Sequence, residues 1–334
     1  MKTAAFILSL LMLLPLSART WTNSDGKTIE ADFVSADQTS VALIMNGKEI
    51  KYPLAKLSAA DQDWIKAQNP AKKPPAEVKT GLLKDIPISS SLYPEIDDHF
   101  KDSTRKASIK AFEGGAFDHD KKRLTDWSVR DPQNDRCDIY VPASYDGSEP
   151  YGLVLYIDAG VRPNFRSDWA GVFDKKKLIF VGAHGVSNNT AMPRRVLLSI
   201  DALATVEKHY KIDPARRVVT GMSGGGHMSM LTAALYPELF KGAVSYAAQS
   251  YLPGAGTFGH FPGFDLSDFK SRERKKMKWV VISGDKDKNY EEILTTSKDW
   301  KNARLDYRFI DVPGMGHSLA AAADLKTALD WIGL

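Results

Sequence analysis

The sequence predicts an α/β protein: a doubly wound, mostly parallel sheet within residues 81–334, preceded by a small β-barrel at residues 19–68. Three observations predict it. From Cys137 onward, apolar strand-like runs recur near residues 137–142, 153–158, 178–183, 217–222, 243–248, 279–283 and 307–311, separated by helix-like stretches or loops. Strands that alternate with helices build parallel sheets covered on both faces. One of these runs, Arg217–Thr220, enters Gly221-Met222-Ser223-Gly224-Gly225 and then the helix-like His227–Leu235, so a serine sits on a sharp strand-to-helix turn. Residues 19–68 instead alternate polar and apolar side chains, the period of a half-buried strand.

Taken in order, residues 1–18 carry one lysine, an apolar run from Ala4 to Leu14, and Leu16-Ser17-Ala18 as a small-residue exit. This is the pattern of a cleavable signal peptide, too short to anchor in a bilayer; it predicts export to the periplasm or beyond, with no membrane span in the mature chain. In the module that follows, Thr28–Val34 alternates, and Val41–Met45 meets Lys48–Tyr52 across Asn46-Gly47, the favoured two-residue hairpin turn. Ser58-Ala59-Ala60-Asp61 reads as a helix start, with Trp64 on the face that returns to the sheet. The Pro/Lys/Ala stretch at residues 69–80 reads as a semi-rigid linker. Residues 81–134 show neither a clear period nor a motif, apart from a strand-like Leu124–Val129, and are expected to lead into the sheet. Cys137 is the single cysteine and lies in an apparent strand, which excludes an intrachain disulfide and predicts a buried thiol.

A serine hydroxyl is a poor nucleophile at neutral pH, and the turn around Ser223 exposes Oγ to a base while setting backbone N–H groups beside it. Glycines flank the serine because a Cβ there would clash. No Lys-Ser/Thr pair follows, so the turn is not a phosphate loop. Of seven histidines, three lie beyond Ser223. His227 sits one helical turn past the serine, where its own backbone constrains it, and His260 precedes every plausible acid strand, whereas chains with such a serine turn run Ser, acid, His. His317 remains, between the strand-like Tyr307–Ile310 and a terminal helix expected from about Ser318 to Trp331. A loop at a strand's C-terminal edge is where a general base should hang. The strand-like run Lys278–Ser283 ends at Gly284, followed by two carboxylates, Asp285 and Asp287.

The segment Ile212-Asp213-Pro214-Ala215-Arg216-Arg217-Val218-Val219-Thr220-Gly221-Met222-Ser223-Gly224-Gly225 resembles the α/β-hydrolase superfamily, and within it the secreted esterases that include polyhydroxybutyrate-depolymerase-like and feruloyl-esterase-like enzymes. The resemblance covers residues from about 135 to the end of the chain. It implies ester hydrolysis through an acyl-enzyme, with Ser223 as nucleophile and His317 as base, and with no metal or organic cofactor. Chains of this fold commonly read Gly-x-x-Asp at the acid turn, which matches Gly284 to Asp287. Asp287 is therefore the expected acid, holding the imidazole tautomer, whereas Asp285 suits a loop cap. The oxyanion hole is expected from the N–H of Gly224 and that of Ala159 or Gly160, after the strand-like Leu153–Ile157. Asp158-Ala159-Gly160 stands where many esterases carry His-Gly-Gly.

Three loops that follow strands, Arg162–Arg166, Gly185–Asn189 and Tyr251–Phe264, suit a polar, aromatic-lined cleft for a carbohydrate or aryl ester. Arg162, Asn164, Asn188, Tyr251 and Phe258 are the candidate substrate contacts, although the same residue types also serve turns and packing. Between Gln249 and Trp279 there is no long amphipathic helix, so no interfacial lid is expected. The N-terminal module resembles the Sla-homology domain, an SH3-like barrel, through Arg19-Thr20-Trp21-Thr22, Asp25–Ala31 and Pro53-Leu54, Lys56-Leu57-Ser58, Asp61-Gln62 and Trp64. That resemblance implies the fold alone, and the ligand, an unknown peptide or glycan, stays open. The net charge of +4 is dispersed instead of striped, which speaks against nucleic-acid binding. Two other readings stay open: a serine peptidase with the same triad, and a binding protein on a hydrolase scaffold.

Overall fold

The computed structural model describes residues 19–36, 40–68, 79–94, 102–113, 129–253, 261–271 and 276–334. The expected signal peptide, residues 69–78 of the expected linker, residues 124–128 of the strand-like run and Phe258 lie outside the described residues. The chain divides into two compact units, one ending at Glu77 and one beginning at Val78.

The first unit is an antiparallel meander of β1 (Arg19–Thr22), β2 (Thr28–Ala36), β3 (Ser40–Met45) and β4 (Lys48–Pro53), in that spatial order. Asn46 and Gly47 both have positive φ, 51° and 76°, as the hairpin type expected for Asn-Gly requires. The order is open: among the described residues no ladder joins β4 to β1. Helix α1 (Ala59–Gln68) covers one face, with Trp21, Val41, Leu43, Leu57 and Ile65 forming the core. Trp64 packs edge-on against Trp21 and Phe33, with ring centroids 5.4 Å apart in each case. The helix start is tied to the sheet through Asp61, which accepts hydrogen bonds from the Thr22 N–H at 2.6 Å and the Ser58 hydroxyl at 3.0 Å and pairs with Arg19.

The second unit holds β5 (Gly81–Pro87), α2 (Ser103–Glu113), β6 (Arg136–Val141), β7 (Tyr151–Ile157), α3 (Ala170–Lys176), β8 (Leu178–Ala183), α4 (Met192–His209), β9 (Ile212–Met222), α5 (Gly224–Leu235), β10 (Gly242–Tyr246), α6 (Leu266–Phe269), β11 (Lys278–Ser283), α7 (Tyr290–Asn302), β12 (Tyr307–Asp311) and α8 (Ala322–Ile332). The eight strands run in the order β12-β11-β10-β9-β7-β8-β6-β5. Neighbours from β8 to β12 are parallel, and β6 is antiparallel to both β8 and β5. This is an α/β fold.

Period-2 alternation sorts the strand side chains onto two faces. Leu153, Leu155 and Ile157 of β7 enter one apolar cluster with residues of α4 and α5. Val154 and Tyr156 enter the other, with Phe173 of α3 and Leu325, Ala328 and Leu329 of α8. A sheet buried on both sides gives strands that are apolar throughout, which is why β7, β8 and β10 were readable as apolar runs. Cys137 is fully buried, and burial pushes its thiol up to about 12, as expected of an inert structural cysteine.

Two elements differ from expectation. β5 lies within the unreadable segment: it is an edge strand with a register shift between Leu83 and Ile86, so its sequence keeps no clean period. The last helix begins at Ala322 instead of about Ser318. Arg166 and Trp169 donate to the carbonyls of Leu319 and Ala320 at 3.3 and 3.0 Å, holding that stretch extended, and the Asp168 carboxylate accepts from the Ala322 N–H at 3.1 Å.

Chain direction across the sheet reverses around β7, because β8 lies on one side of it and the next strand, β9, on the other. The C-terminal ends of β7 and β9 therefore flank a topological switch point, where open α/β sheets bind ligands.

Candidate active site

Ser223 stands at this point, between β9 and α5, with φ 54° and ψ −124°. A non-glycine residue held there stores strain of roughly 1–3 kcal/mol, sustained only where the surroundings over-determine it. Here the surroundings are visible. The Ser223 N–H donates to the Tyr246 carbonyl at 2.9 Å, and three glycines let backbones approach. A Cβ on Gly221 would lie 2.2 Å from the Gly225 carbonyl oxygen, one on Gly225 2.1 Å from that of Ile157, and one on Gly226 2.3 Å from the Ser245 hydroxyl.

His317 follows β12 in the turn Val312–Gly316, where Gly314 has φ 77°. Its Nε2 is 2.9 Å from Ser223 Oγ and its Nδ1 is 2.8 Å from Asp287 Oδ1. Three side chains far apart in sequence thus form one hydrogen-bonded line. The Asp287 side chain has no exposed surface; Oδ1 also accepts the Asn289 N–H at 3.0 Å, and Oδ2 accepts the Ser283 hydroxyl at 2.7 Å. Asp285 takes the other expected part: its Oδ1 accepts the Gly314 N–H at 2.6 Å and ties the acid turn to the histidine turn. The same two turns are joined by the Lys286 N–H donating to the Met315 carbonyl at 3.2 Å, and Gly284 is required because a Cβ would lie 1.9 Å from the Val312 carbonyl oxygen. Two other described histidines are engaged elsewhere: His184 Nε2 is 2.8 Å from Asp138, and His227 Nδ1 is 3.2 Å from Ser250 Oγ.

Beside Ser223, register pairing sets Ile157 of β7 opposite Gly221 of β9, which brings Asp158-Ala159-Gly160 against the elbow. The Gly160 N–H donates to Asp158 Oδ1 at 2.6 Å. Of the two amides expected as oxyanion donors, Gly160's is thereby taken, and Ala159's is the one left to pair with that of Gly224. Gly224 opens α5, so its N–H has no carbonyl one turn back within the helix. Asp158 Oδ2 accepts from the Tyr156 hydroxyl at 2.8 Å. Burial, then the Asp158 charge and this hydrogen bond, hold the Tyr156 phenol far above its ordinary range, so it stays a donor. The Asp158 carbonyl accepts from Arg195 Nη2 at 2.9 Å and the Ala159 carbonyl from the Asn188 N–H at 2.9 Å. Tyr156 and Arg195 carried no sequence signal, because each acts here through contacts that only the fold creates.

The expected substrate contacts separate. Asn188 is exposed and lies against the elbow: a Cβ on Gly224 would sit 1.9 Å from its Oδ1. Arg162 and Asn164 line a different cleft with Leu82, Lys84, Asp138 and Phe180. The Arg162 guanidinium there is committed to Asp85 at 2.8 Å, an exposed pair. Tyr251 follows β10, and a hydrogen bond to Glu292, then partial burial, raises its phenol. Phe258 lies outside the described residues.

Residues 198–304 match the family described as "Putative esterase". The match runs from within α4 to just past α7 and includes Ser223 and Asp287. Feruloyl esterase B of Neurospora crassa is 30% identical over 134 residues, covering 38% of this chain and 41% of that protein. The chain thus spans about two fifths of the length of this relative. Among solved structures, it is similar to fluorophosphonate-binding serine hydrolase F of Staphylococcus aureus (TM-score 0.48, 15% identity, 60% of this chain and 93% of that one). It is also similar to a ferulic acid esterase (TM-score 0.47, 16% identity, 60% and 92%). The matched family and the curated relative are both described as esterases.

Proposed function

We propose that this chain is an exported serine esterase that cleaves carboxylic esters through an acyl-enzyme. The observation that carries the reading is the hydrogen-bonded line Ser223–His317–Asp287, with its two distances of 2.9 and 2.8 Å, ending on a serine in a strained elbow. Ser223 Oγ attacks the ester carbonyl as His317 Nε2 takes its proton. Asp287 holds the Nδ1–H tautomer and stabilises the imidazolium. The oxyanion forms between the N–H groups of Gly224 and Ala159, and losing one such donor costs about 2.7–4 kcal/mol of transition-state stabilisation. His317 then returns the proton to the leaving alcohol, and water activated by the same imidazole releases the acid. The curated feruloyl esterase relative and the exposed Asn188 beside the elbow favour aryl or carbohydrate-linked esters over lipids.

The first unit serves recognition in this reading, as an SH3-like module. Its support is an apolar cleft of about 200 Å³ lined by Trp21, Ile29, Leu43, Tyr52 and Leu57, of a size for one side chain of a peptide or one sugar of a glycan.

The test is labelling of the mature protein with a fluorophosphonate probe beside Ser223→Ala, which reports an activated serine whatever the natural ester. Labelling present in the wild type and lost in the variant, followed by turnover of acetyl, feruloyl or short hydroxyalkanoate esters, is the expected result. A folded wild type that takes no label removes the enzyme reading and leaves the binding-protein alternative.

A further inference from the structure

The amide of Ala159 belongs to the peptide plane it shares with the Asp158 carbonyl, and in a trans peptide the C=O and N–H point in opposite directions. Whatever grips that carbonyl therefore also aims that N–H. The grip is Arg195, in the first turn of α4, only 4% exposed, with Nη2 2.9 Å from the Asp158 oxygen. The plane lies against the elbow, since a Cβ on Gly225 would stand 2.8 Å from the Asp158 carbonyl carbon.

Resting on the esterase reading above, we propose that Arg195 is a positioning residue for the oxyanion hole, acting through the Asp158–Ala159 peptide. Three further bonds brace the same loop and leave the Ala159 N–H as its working donor. Gly160 N–H and the Tyr156 hydroxyl occupy the two oxygens of the Asp158 carboxylate, and the Asn188 N–H holds the Ala159 carbonyl. A guanidinium keeps its charge at any working pH. Bound to the carbonyl end of a buried peptide, it polarises that peptide and strengthens the N–H at the other end as a donor. The effect grows as negative charge develops on the oxyanion, so it is larger in the transition state than in the bound ester. A backbone donor that is both braced and polarised explains how Asp158-Ala159-Gly160 serves where related enzymes carry His-Gly-Gly.

The experiment uses the full chain and its Arg195→Met, Arg195→Lys and Tyr156→Phe variants. Each is measured for thermal unfolding, for kcat and KM on a nitrophenyl ester, and for inhibition by a boronic acid, which mimics the tetrahedral adduct, and by the carboxylic acid product. Arg195→Met is expected to lower kcat roughly 10- to 100-fold, short of the 10²- to 10³-fold cost of deleting a donor. KM and product inhibition stay within about threefold, boronate affinity falls by the factor lost in kcat, and Arg195→Lys recovers part of both. A folded Arg195→Met with unchanged kcat, or with reduced kcat but unchanged boronate affinity, overturns the assignment. If Arg195→Met does not fold, the remaining two variants decide: unchanged boronate affinity in both overturns it, and a matched loss in kcat and boronate affinity supports it. A wild type that takes no fluorophosphonate overturns both this assignment and the esterase reading, whereas a labelled and active wild type with indifferent variants removes this assignment alone.

Discussion

Ser223 and its glycines show how much of this site is decided by single atoms. A Cβ on Gly225 meets a backbone carbonyl of the neighbouring strand at 2.1 Å, and backbone cannot step aside as a flexible side chain can. Gly225→Ala is therefore expected to cost about 1–3 kcal/mol as overpacking and to abolish fluorophosphonate labelling, measured by chemical denaturation and by probe. Gly160→Ala meets only Asp158 Oδ1, at 3.1 Å, and the same two assays should find it close to wild type. The paired carboxylates separate in the same way. Asp287 faces His317 and Asp285 braces its turn, so Asp287→Asn should lower kcat by about 10⁴-fold. Asp285→Asn should cost about 1 kcal/mol of stability, the worth of one hydrogen bond, with kcat reduced less than tenfold. Equal losses in kcat for the two variants would overturn the assignment. The three candidates Ser223, Asp287 and His317 were named from local turn residues together with the chain order of the resembling family. The brace formed by Tyr156, Asp158 and Arg195 was not, because the bond that Arg195 donates to the Asp158 carbonyl spans 37 residues and its use depends on one peptide orientation.

Elements were readable in proportion to how evenly they are buried. β7, β8 and β10 are covered on both faces and appear as unbroken apolar runs, while β5, on the sheet edge with a register shift, has no pattern to read. The start of α8 was placed about four residues early because Leu319 and Ala320 look helical to their neighbours in sequence, yet their carbonyls are taken by Arg166 and Trp169 from elsewhere. In the first unit, α1 is joined to β1 by Asp61. Burial acts to raise that carboxyl, but the Thr22 N–H, Arg19 and Ser58 outweigh it and hold the carboxyl below its ordinary 3.8. A folded-state pKa below the unfolded one means that protonation favours unfolding. The Asp61 contribution is thus fully present above the ordinary value and is lost as pH falls through the lowered folded value. Unfolding of the first unit followed by tryptophan fluorescence should show this acid-side loss in the wild type and a flatter acid limb in Asp61→Asn. An identical pH dependence in both proteins would remove Asp61 from that role.

At the scale of the whole molecule, the two compact units each hold their own apolar core, one centred on Trp21 and Leu43 and the other on the eight-stranded sheet. All atoms placed in the reaction belong to the second unit, so a chain of residues 78–334 is expected to hydrolyse a nitrophenyl ester with kcat/KM within about threefold of the full chain. A much larger loss would mean that the first unit takes part in the chemistry. Its proposed role in recognition predicts instead a loss confined to polymeric or tethered esters, measured side by side with the soluble one. The sequence by itself determined the α/β class, which is written in periodicity, and offered Ser223, His317 and Asp287 as the candidate triad, from turn residues and a family resemblance. Tertiary structure alone brought His317 Nδ1 to within 2.8 Å of Asp287, tied the Gly160 amide to Asp158, and turned Arg162 to Asp85 while Asn188 stands at the elbow. The physical reason is that periodicity and turn residues are local signals, whereas the register of the strands sets which groups from separate loops meet at the crevice.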